Sequence, residues 1–303
     1  MVRSIFLAAA LGFSSLIVLT PNSKAASFAT GGFPVVVQQD PGVLSSVGLA
    51  GGVATLNNFG AATVEYNNVG FRSTDRFLYG VELTLSGNPI NGSNNGFVRI
   101  ASDGSTTNLG SFGLPTDPVA RFDAGDISAD GTTMFISMGT QTNVPSANFP
   151  HAGKLFTLDL TALGNPATTV SQINISGDDG NVNDWAFNAG DGLLYGGDQR
   201  DGQLAILNPN NGQRTDVALA GLPTGVGFGA AWIEPTTGSL FLYRNNSPGT
   251  VYEVDLSGPS IVQSFTGPDT LLNDGAFISI PEPATLLITL LAGVGVLLRR
   301  RSH

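Results

Sequence analysis

The sequence predicts an all-β chain folded as a single β-propeller, with five four-stranded blades closed by pairing of the N- and C-terminal strands and six blades as the alternative. Three observations lead there. Short blocks of Val, Leu, Ile and Phe recur between turn residues, with glycine at 40 of 303 positions, a pattern of strands joined by tight turns. One motif returns along the chain at the spacing of a propeller blade. The last copy of that motif lacks a partner strand that the N-terminal region supplies.

The motif is clearest in two places. Asn67-Asn68-Val69-Gly70-Phe71, followed by Asp75-Arg76-Phe77-Leu78-Tyr79-Gly80, aligns without a gap to Asn183-Asp184-Trp185-Ala186-Phe187 followed by Asp191-Gly192-Leu193-Leu194-Tyr195-Gly196. Asn273-Asp274-Gly275-Ala276-Phe277 begins it again, and looser copies run through Gly125-Asp126-Ile127 and Ala230-Ala231-Trp232. Anchored on the large apolar residue, the starts fall at Phe71, Ile127, Phe187, Trp232 and Phe277, 45 to 60 residues apart. The two longer units have insertions at 85–95 and 139–153. Each of the first four units continues into a further strand, at Phe97, Leu155, Leu204 and Val251, whose alternating apolar residues imply one packed face. The fifth does not.

Pro34-Val35-Val36-Val37-Gln38 and the segment from Leu44 to Leu49 have the missing strand character. The strand at Val35 is therefore expected in the blade begun by Phe277, which removes an open sheet edge. A sixth blade from residues 43–66 is the competing count, and a β-sandwich with coincidental turn motifs the competing fold. The units resemble propeller repeats of bacterial exported proteins, on Asn-Asp-x-Ala-Phe and Phe228-Gly229-Ala230-Ala231-Trp232; the histidine and tryptophan-aspartate signature of WD40 blades is absent.

Three segments follow. Residues 1–25 read as a signal peptide: Arg3, an apolar stretch from Ile5 to Leu19, and Ser23-Lys24-Ala25 for cleavage by signal peptidase after Ala25. Residues 26–280 form the propeller domain. Residues 281–303 carry Pro281-Glu282-Pro283, an uncharged apolar run at 286–298, and Arg299-Arg300-Arg301. Such a run is shorter than the ~20 residues of a comfortable membrane helix, which suits a temporary anchor with the arginines as a membrane stop on the cytoplasmic side. The tail resembles the PEP-CTERM sorting signal of Gram-negative bacteria. That resemblance implies processing near Pro281, Glu282 and Pro283 by an exosortase, transient anchoring in the inner membrane, and delivery to the cell envelope or extracellular matrix. An ordinary anchor that is never cut is the other reading of the tail.

Charge and cysteine content exclude several functions. The formal charge is −10, and losing both terminal segments leaves 8 basic against 22 acidic groups. A surface this negative repels phosphate backbones, so no nucleic-acid partner is expected. Without cysteine there is neither a disulfide nor a thiolate metal site.

The candidate chemistry lies at the start of the repeats, which in a propeller faces the central channel. Asn68, Asp184 and Asp274 are equivalent in the alignment, and Asp126 is close to that position. Such a ring could hold Ca²⁺, which takes six to eight oxygens; the same side chains could instead cap turns and bind channel water. The acidic loops Asp178-Asp179-Gly180-Asn181 and Asp123/Asp126/Asp130 lack EF-hand spacing and read as turns. His151 lies in an insertion and His303 in the tail, and no Gly-x-Ser-x-Gly elbow occurs, which argues against serine hydrolysis. Glu82, Glu234 and Glu253 read as surface charge at strand ends. Trp185, Trp232 and Tyr243 could stack on sugar rings of a polysaccharide or fill space between blades. The expectation is an exported, non-catalytic propeller with no bound cofactor, binding glycan or protein, with a divalent-cation-dependent hydrolase of the propeller lactonase type as the alternative. A channel plugged by apolar side chains favours the first, and an open carboxylate cluster the second.

Overall fold

The computed structural model describes residues 26–38, 42–61, 64–83, 96–110, 112–115, 121–139, 153–163, 170–176, 181–245, 247–270 and 273–280. The signal segment with Ala25, and the tail with Pro281, Glu282, Pro283, Arg299, Arg300, Arg301 and its apolar run, lie outside the described residues. Among the described residues no helix is long and apolar enough to cross a membrane.

Among the described residues the regular structure consists of twenty strands and one short 3₁₀ turn at Leu160–Ala162. The first three are β1 (Phe33–Gln38), β2 (Val43–Ala50) and β3 (Val53–Ala61). Four-strand meanders follow: β4 (Glu65–Arg72), β5 (Phe77–Leu83), β6 (Phe97–Ile100) and β7 (Thr106–Asn108), then β8 (Arg121–Ile127), β9 (Thr133–Gly139), β10 (Lys154–Asp159) and β11 (Val170–Asn174). Next are β12 (Ala186–Asn188), β13 (Leu193–Asp198), β14 (Gln203–Leu207) and β15 (Arg214–Ala218), and β16 (Phe228–Ile233), β17 (Leu240–Arg244), β18 (Gly249–Asp255) and β19 (Ser260–Gly267). The last strand is β20 (Asn273–Ile278).

Three of these groups are separate four-stranded sheets, whereas the remaining eight strands form one sheet ordered β16-β17-β18-β19-β3-β2-β1-β20. That sheet divides into two four-strand runs, because β19 and β3 meet only through the parallel pairing of Thr266 with Val53. Strand β1 pairs antiparallel with β20, Val35 opposite Ala276 and Pro34 opposite Phe277, as the closure argument requires. The segment at 43–61 continues this run as β2 and β3, beside β1. The first strands β4, β8, β12, β16 and β20 neighbour one another in a cycle that returns to β4, which is the arrangement of a propeller around an axis.

The repeated residues have local reasons. Asp75 accepts from the Phe77 N–H at 3.3 Å and from the Tyr79 hydroxyl at 2.6 Å. Asp191 does the same for Leu193 at 3.0 Å and Tyr195 at 2.7 Å. One carboxylate thus fixes both the turn and the tyrosine of the following strand, an Asx-type turn with an added side-chain tie.

Between neighbouring four-strand groups lie five apolar clusters, which together form the core. Trp185 joins Leu155, Leu194 and Leu207 in one of them, and Trp232 joins Val47, Phe241 and Val251 in another. Each large side chain fully withdrawn from water contributes about 1.5–3 kcal/mol. Trp185, Trp232 and Tyr243 are among the most buried side chains. Trp185 donates its indole N–H to Ser137 at 3.0 Å, Trp232 stacks on Phe241, and the Tyr243 hydroxyl donates to the Pro268 carbonyl at 2.9 Å. These three aromatics are packing residues, and the sugar-stacking alternative for them is corrected: their faces are spent between sheets.

Candidate functional site: the axial carboxylates and one mouth of the channel

The register of the hairpins sets which residues are equivalent around the axis. Phe71 faces Leu78, Ile127 faces Met134, Phe187 faces Leu194 and Phe277 faces Pro34. In the fourth unit the residue at that position is Ile233, opposite Leu240. The motif anchor expected at Trp232 therefore shifts by one residue. Bulk was the misleading signal, since Trp232 points into the cleft between sheets instead.

Asp184 and Asp274 occupy one level of the axis and are fully buried. Asp184 Oδ1 accepts from its own successor, Trp185 N, at 2.8 Å; Oδ2 accepts from Ala231 N at 2.6 Å and Gly275 N at 3.2 Å. Asp274 Oδ1 accepts from Gly275 N at 2.8 Å and its Oδ2 from Val69 N at 2.7 Å. These two side chains therefore tie β12's entry, β16, β20 and β4 together. Close approach is essential here, because a Cβ on Gly275 would meet Ala230 Cβ at 2.9 Å and Ala231 O at 3.0 Å.

The third carboxylate is placed differently. Asp126 lies opposite Phe135, two residues nearer the strand end than Asp184's position, which Ala124 occupies in this unit. Its Oδ1 accepts from Ile127 N at 2.7 Å and Oδ2 from Phe187 N at 2.8 Å, so it repeats the bonding scheme of Asp184 one step along the axis. Unlike the other two, it is only half-buried.

Asn68, the fourth predicted member, sits at Asp184's level at an irregularity of β4, with a left-handed backbone at φ 59° that asparagine tolerates. Its side chain is fully buried, yet neither its Oδ1 nor Nδ2 has a hydrogen-bond partner among the described residues. A Cβ on Gly125 would stand 2.5 Å from that Oδ1, so glycine there makes room for it.

Burial dominates the electrostatics. It raises the pKa of Asp184 well above the carboxylate range, and the charge of Asp274 adds to that. Asp274 is raised by burial too, partly offset by the N–H of Val69, a hydrogen bond from Asp184 and the N–H of Gly275. Burial of two neighbouring carboxyls thus favours the protonated form of the pair. Asp126 is pushed up to about 7 by burial, against the lowering effect of the Phe187 and Ile127 N–H groups.

The structure thus brings all four predicted residues to the axis, with Asn68, Asp184 and Asp274 at one level and Asp126 two residues along from it. Among the described residues no group of three or more His, Cys, Asp or Glu side chains is placed to hold a metal ion. The oxygens of Asp184 and Asp274 are sealed and engaged by backbone N–H groups, whereas each oxygen of Asp126 accepts a single N–H at a half-buried position. Asp130 of the neighbouring loop caps its own turn through Ser128 and Thr132. Asp178 and Asp179 lie outside the described residues.

Two features escaped the sequence reading. One end of the axis opens into a depression of about 90 Å³ lined by Phe71, Ile127, Phe187, Ile233 and Phe277, with Asp126 beside them. Two residues further on in each unit stand Ser73, Ala129, Ala189, Pro235 and Ser279, also in the lining. The signal was present as a small residue two places after each repeat anchor, but it emerges only after the fourth anchor moves to Ile233. The second feature is amide-rich. Asn183 donates to Gln199 at 3.3 Å, Asn245 accepts from Asn273 N at 3.3 Å, and Asn273 donates to Thr270 at 3.1 Å. Asn183 and Asn273 directly precede the axial carboxylates Asp184 and Asp274, on the side away from the depression, and Gln199 and Asn245 follow the ends of the second strands β13 and β17.

Sheets of four strands around an axis define a β-propeller built from repeats. The chain belongs to DUF6923, a family described as a repeat of unknown function, which matches residues 35–280. No curated protein matches it. Among solved structures, a chain of a nidogen/laminin complex is similar at 17% identity and a TM-score of 0.46, over 82% of this chain and 98% of that one. The periplasmic gluconolactonase PpgL of Pseudomonas aeruginosa aligns at 16% identity and TM-score 0.42, over 75% and 64% of the two chains. Virginiamycin B lyase from Staphylococcus aureus aligns at 11% identity and TM-score 0.41, over 80% and 72%.

Proposed function

We propose that this chain is an exported, non-catalytic propeller of five blades that serves as an interaction module at the cell envelope or in the extracellular matrix. The observation that carries this reading is the state of the axis. Its sealed carboxylates, Asp184 and Asp274, are engaged in tying first strands to one another, and large apolar side chains surround one mouth. A hydrolase of the lactonase type needs carboxylates with free lone pairs around a cation. Thermal unfolding of the full chain with 5 mM-scale calcium, and separately with EDTA, is the test. Neither should move the melting temperature by more than ~1 °C, since a ligand that binds only the folded state must raise it. A clear rise with calcium would replace this reading with the cation-dependent one.

Export and sorting complete the proposal. The N-terminal segment would be removed after Ala25 by signal peptidase, and the tail processed near Pro281-Glu282-Pro283 by an exosortase, with Arg299, Arg300 and Arg301 as the transient membrane stop. The close spacing supports a coupling of tail and fold: β20 ends at Ile278, three residues before Pro281. Intact-mass measurement of the exported protein should show both ends removed. A mass that retains residues 281–303 would argue for a permanent anchor.

A further inference from the structure

The depression beside Asp126 combines features the scaffold reading does not use. Its walls are the repeat anchors Phe71, Ile127, Phe187, Ile233 and Phe277, and one carboxylate joins them. Both oxygens of that carboxylate accept one backbone N–H each, which leaves further lone pairs for a ligand. Asp126 is partly exposed there, whereas Asp184 and Asp274 behind it are sealed. Among the described residues no cation acts on its charge, which feels burial and the N–H groups of Phe187 and Ile127. The nearest described arginine on β4, Arg72, is held by Asp75 and by the carbonyls of Gly131 and Leu160.

These properties select a ligand. A divalent cation needs several oxygen ligands, and one carboxylate in an apolar ring does not supply them. A neutral apolar molecule would strip water from an ionised carboxylate without replacing it. An anion would be repelled. A monovalent organic cation satisfies both halves: its nitrogen pairs with the carboxylate and its carbon atoms meet the apolar wall, where aromatic faces add cation–π attraction. A depression of about 90 Å³ has room for several waters, each needing ~10–15 Å³ on this measure, and so for an amine head and a few methylenes.

We propose that this depression binds a primary alkylammonium group, with its nitrogen on the Asp126 carboxylate and its carbon chain against Phe71, Phe187 and Phe277. Two sources present this chemistry, a free small amine and a lysine side chain of a protein partner.

The test is calorimetric titration of the full chain at pH 8 with n-propylammonium chloride, with n-propanol as the uncharged isostere and with a capped Gly-Lys-Gly peptide. Propylammonium should bind at least about tenfold more tightly than propanol, the factor set by ~1.4 kcal/mol for one charge-assisted bond. A peptide that binds at least as well as propylammonium assigns the site to lysine side chains, and a peptide that fails to bind assigns it to free amines. Binding should weaken as pH falls from 8 to 6, because Asp126 takes up its proton near 7; the groups coupled to it are Asp184 and Asp274. Asp126→Asn should abolish binding. Should that variant misfold, Ala189→Lys at the exposed rim provides a second route, since a built-in ammonium should displace the ligand while leaving the core untouched. The proposal is overturned if the wild-type chain takes up no propylammonium, if propanol binds equally, or if both variants bind as the wild type does.

Discussion

Asp126 and Asp184 share one pair of hydrogen bonds, to which Asp184 adds a third from Gly275 N, and yet they are different kinds of residue. Each carboxylate accepts from its own successor and from an N–H of the next first strand. The difference is two residues of register, which is one step along one face of a strand. That step moves the carboxyl from a sealed position, where a second carboxyl shares its proton, to the edge of an opening. Among the axial acids of this propeller, position along the strand separates stapling from accessibility, and residue type does not.

The largest way to break the comparison is to remove each carboxyl in turn. Asp184→Ala leaves two N–H groups in the sealed interior without an acceptor, those of Trp185 and Ala231, while Gly275 N keeps its bond to Asp274 Oδ1. Losing a buried, multiply bonded group costs about 3 kcal/mol. Asp126→Ala also frees two N–H groups, but beside an opening that admits water, and should cost about 1 kcal/mol. Urea unfolding of both variants measures the gap. Equal losses would show that the depth of the carboxyl is irrelevant and that only the bond pattern matters.

Much of this was legible in the sequence, and the limits are instructive. The Asp-to-Tyr spacing of Asp75 and Tyr79, repeated in Asp191 and Tyr195, encodes a local turn, and local turns can be read from short motifs. Closure through Val35 and Ala276 was legible too, since a strand without a partner at one end and a spare strand at the other leave few alternatives. What could not be read was depth. Asp126 looked like a slightly misaligned copy of Asp184, and only the pairing of β8 with β9 shows that the misalignment is a real two-residue offset. Likewise Trp232 outweighed Ile233 by size, while pairing with Leu240 assigns the equivalent position to Ile233. Loop-length differences between units hide such offsets.

A smaller effect sharpens the sealed side. Trp185 follows Asp184 and donates its indole N–H to Ser137 on the neighbouring β9. Trp185→Phe removes that bond, strands the Ser137 hydroxyl, and should cost about 1 kcal/mol, by the net worth of one buried hydrogen bond. Chemical denaturation of the variant, alone and with Ser137→Ala, tests it. If the serine change does not recover part of the loss, the tryptophan acts by its volume alone.

The smallest effect is titration, and its sign separates this axis from an ordinary acidic surface. A carboxyl whose pKa is raised by folding binds its proton more tightly in the folded chain, so its contribution to stability is complete below the unfolded value and is lost as pH rises through the folded one. For Asp126 that window runs from 3.8 to about 7; Asp184 and Asp274 act in the same direction. Surface carboxylates such as Asp103 and Asp130, held below the ordinary range by Ser and Thr hydrogen bonds, act oppositely at lower pH. The melting temperature should therefore fall between pH 5 and pH 8. The part belonging to Asp126, measured as the difference in slope between the wild type and Asp126→Asn, should be about 2 °C: the ~1.4 kcal/mol per pH unit of a sealed group is cut by solvent at this half-buried carboxyl to about 1 kcal/mol or less over the range. A melting temperature that rises over that range, or identical slopes in the two proteins, would mean that the opening solvates Asp126 well enough to erase the cost of its charge. The same result would weaken the case for a cation at that position, because a carboxylate already satisfied by water has less to gain from an ammonium group.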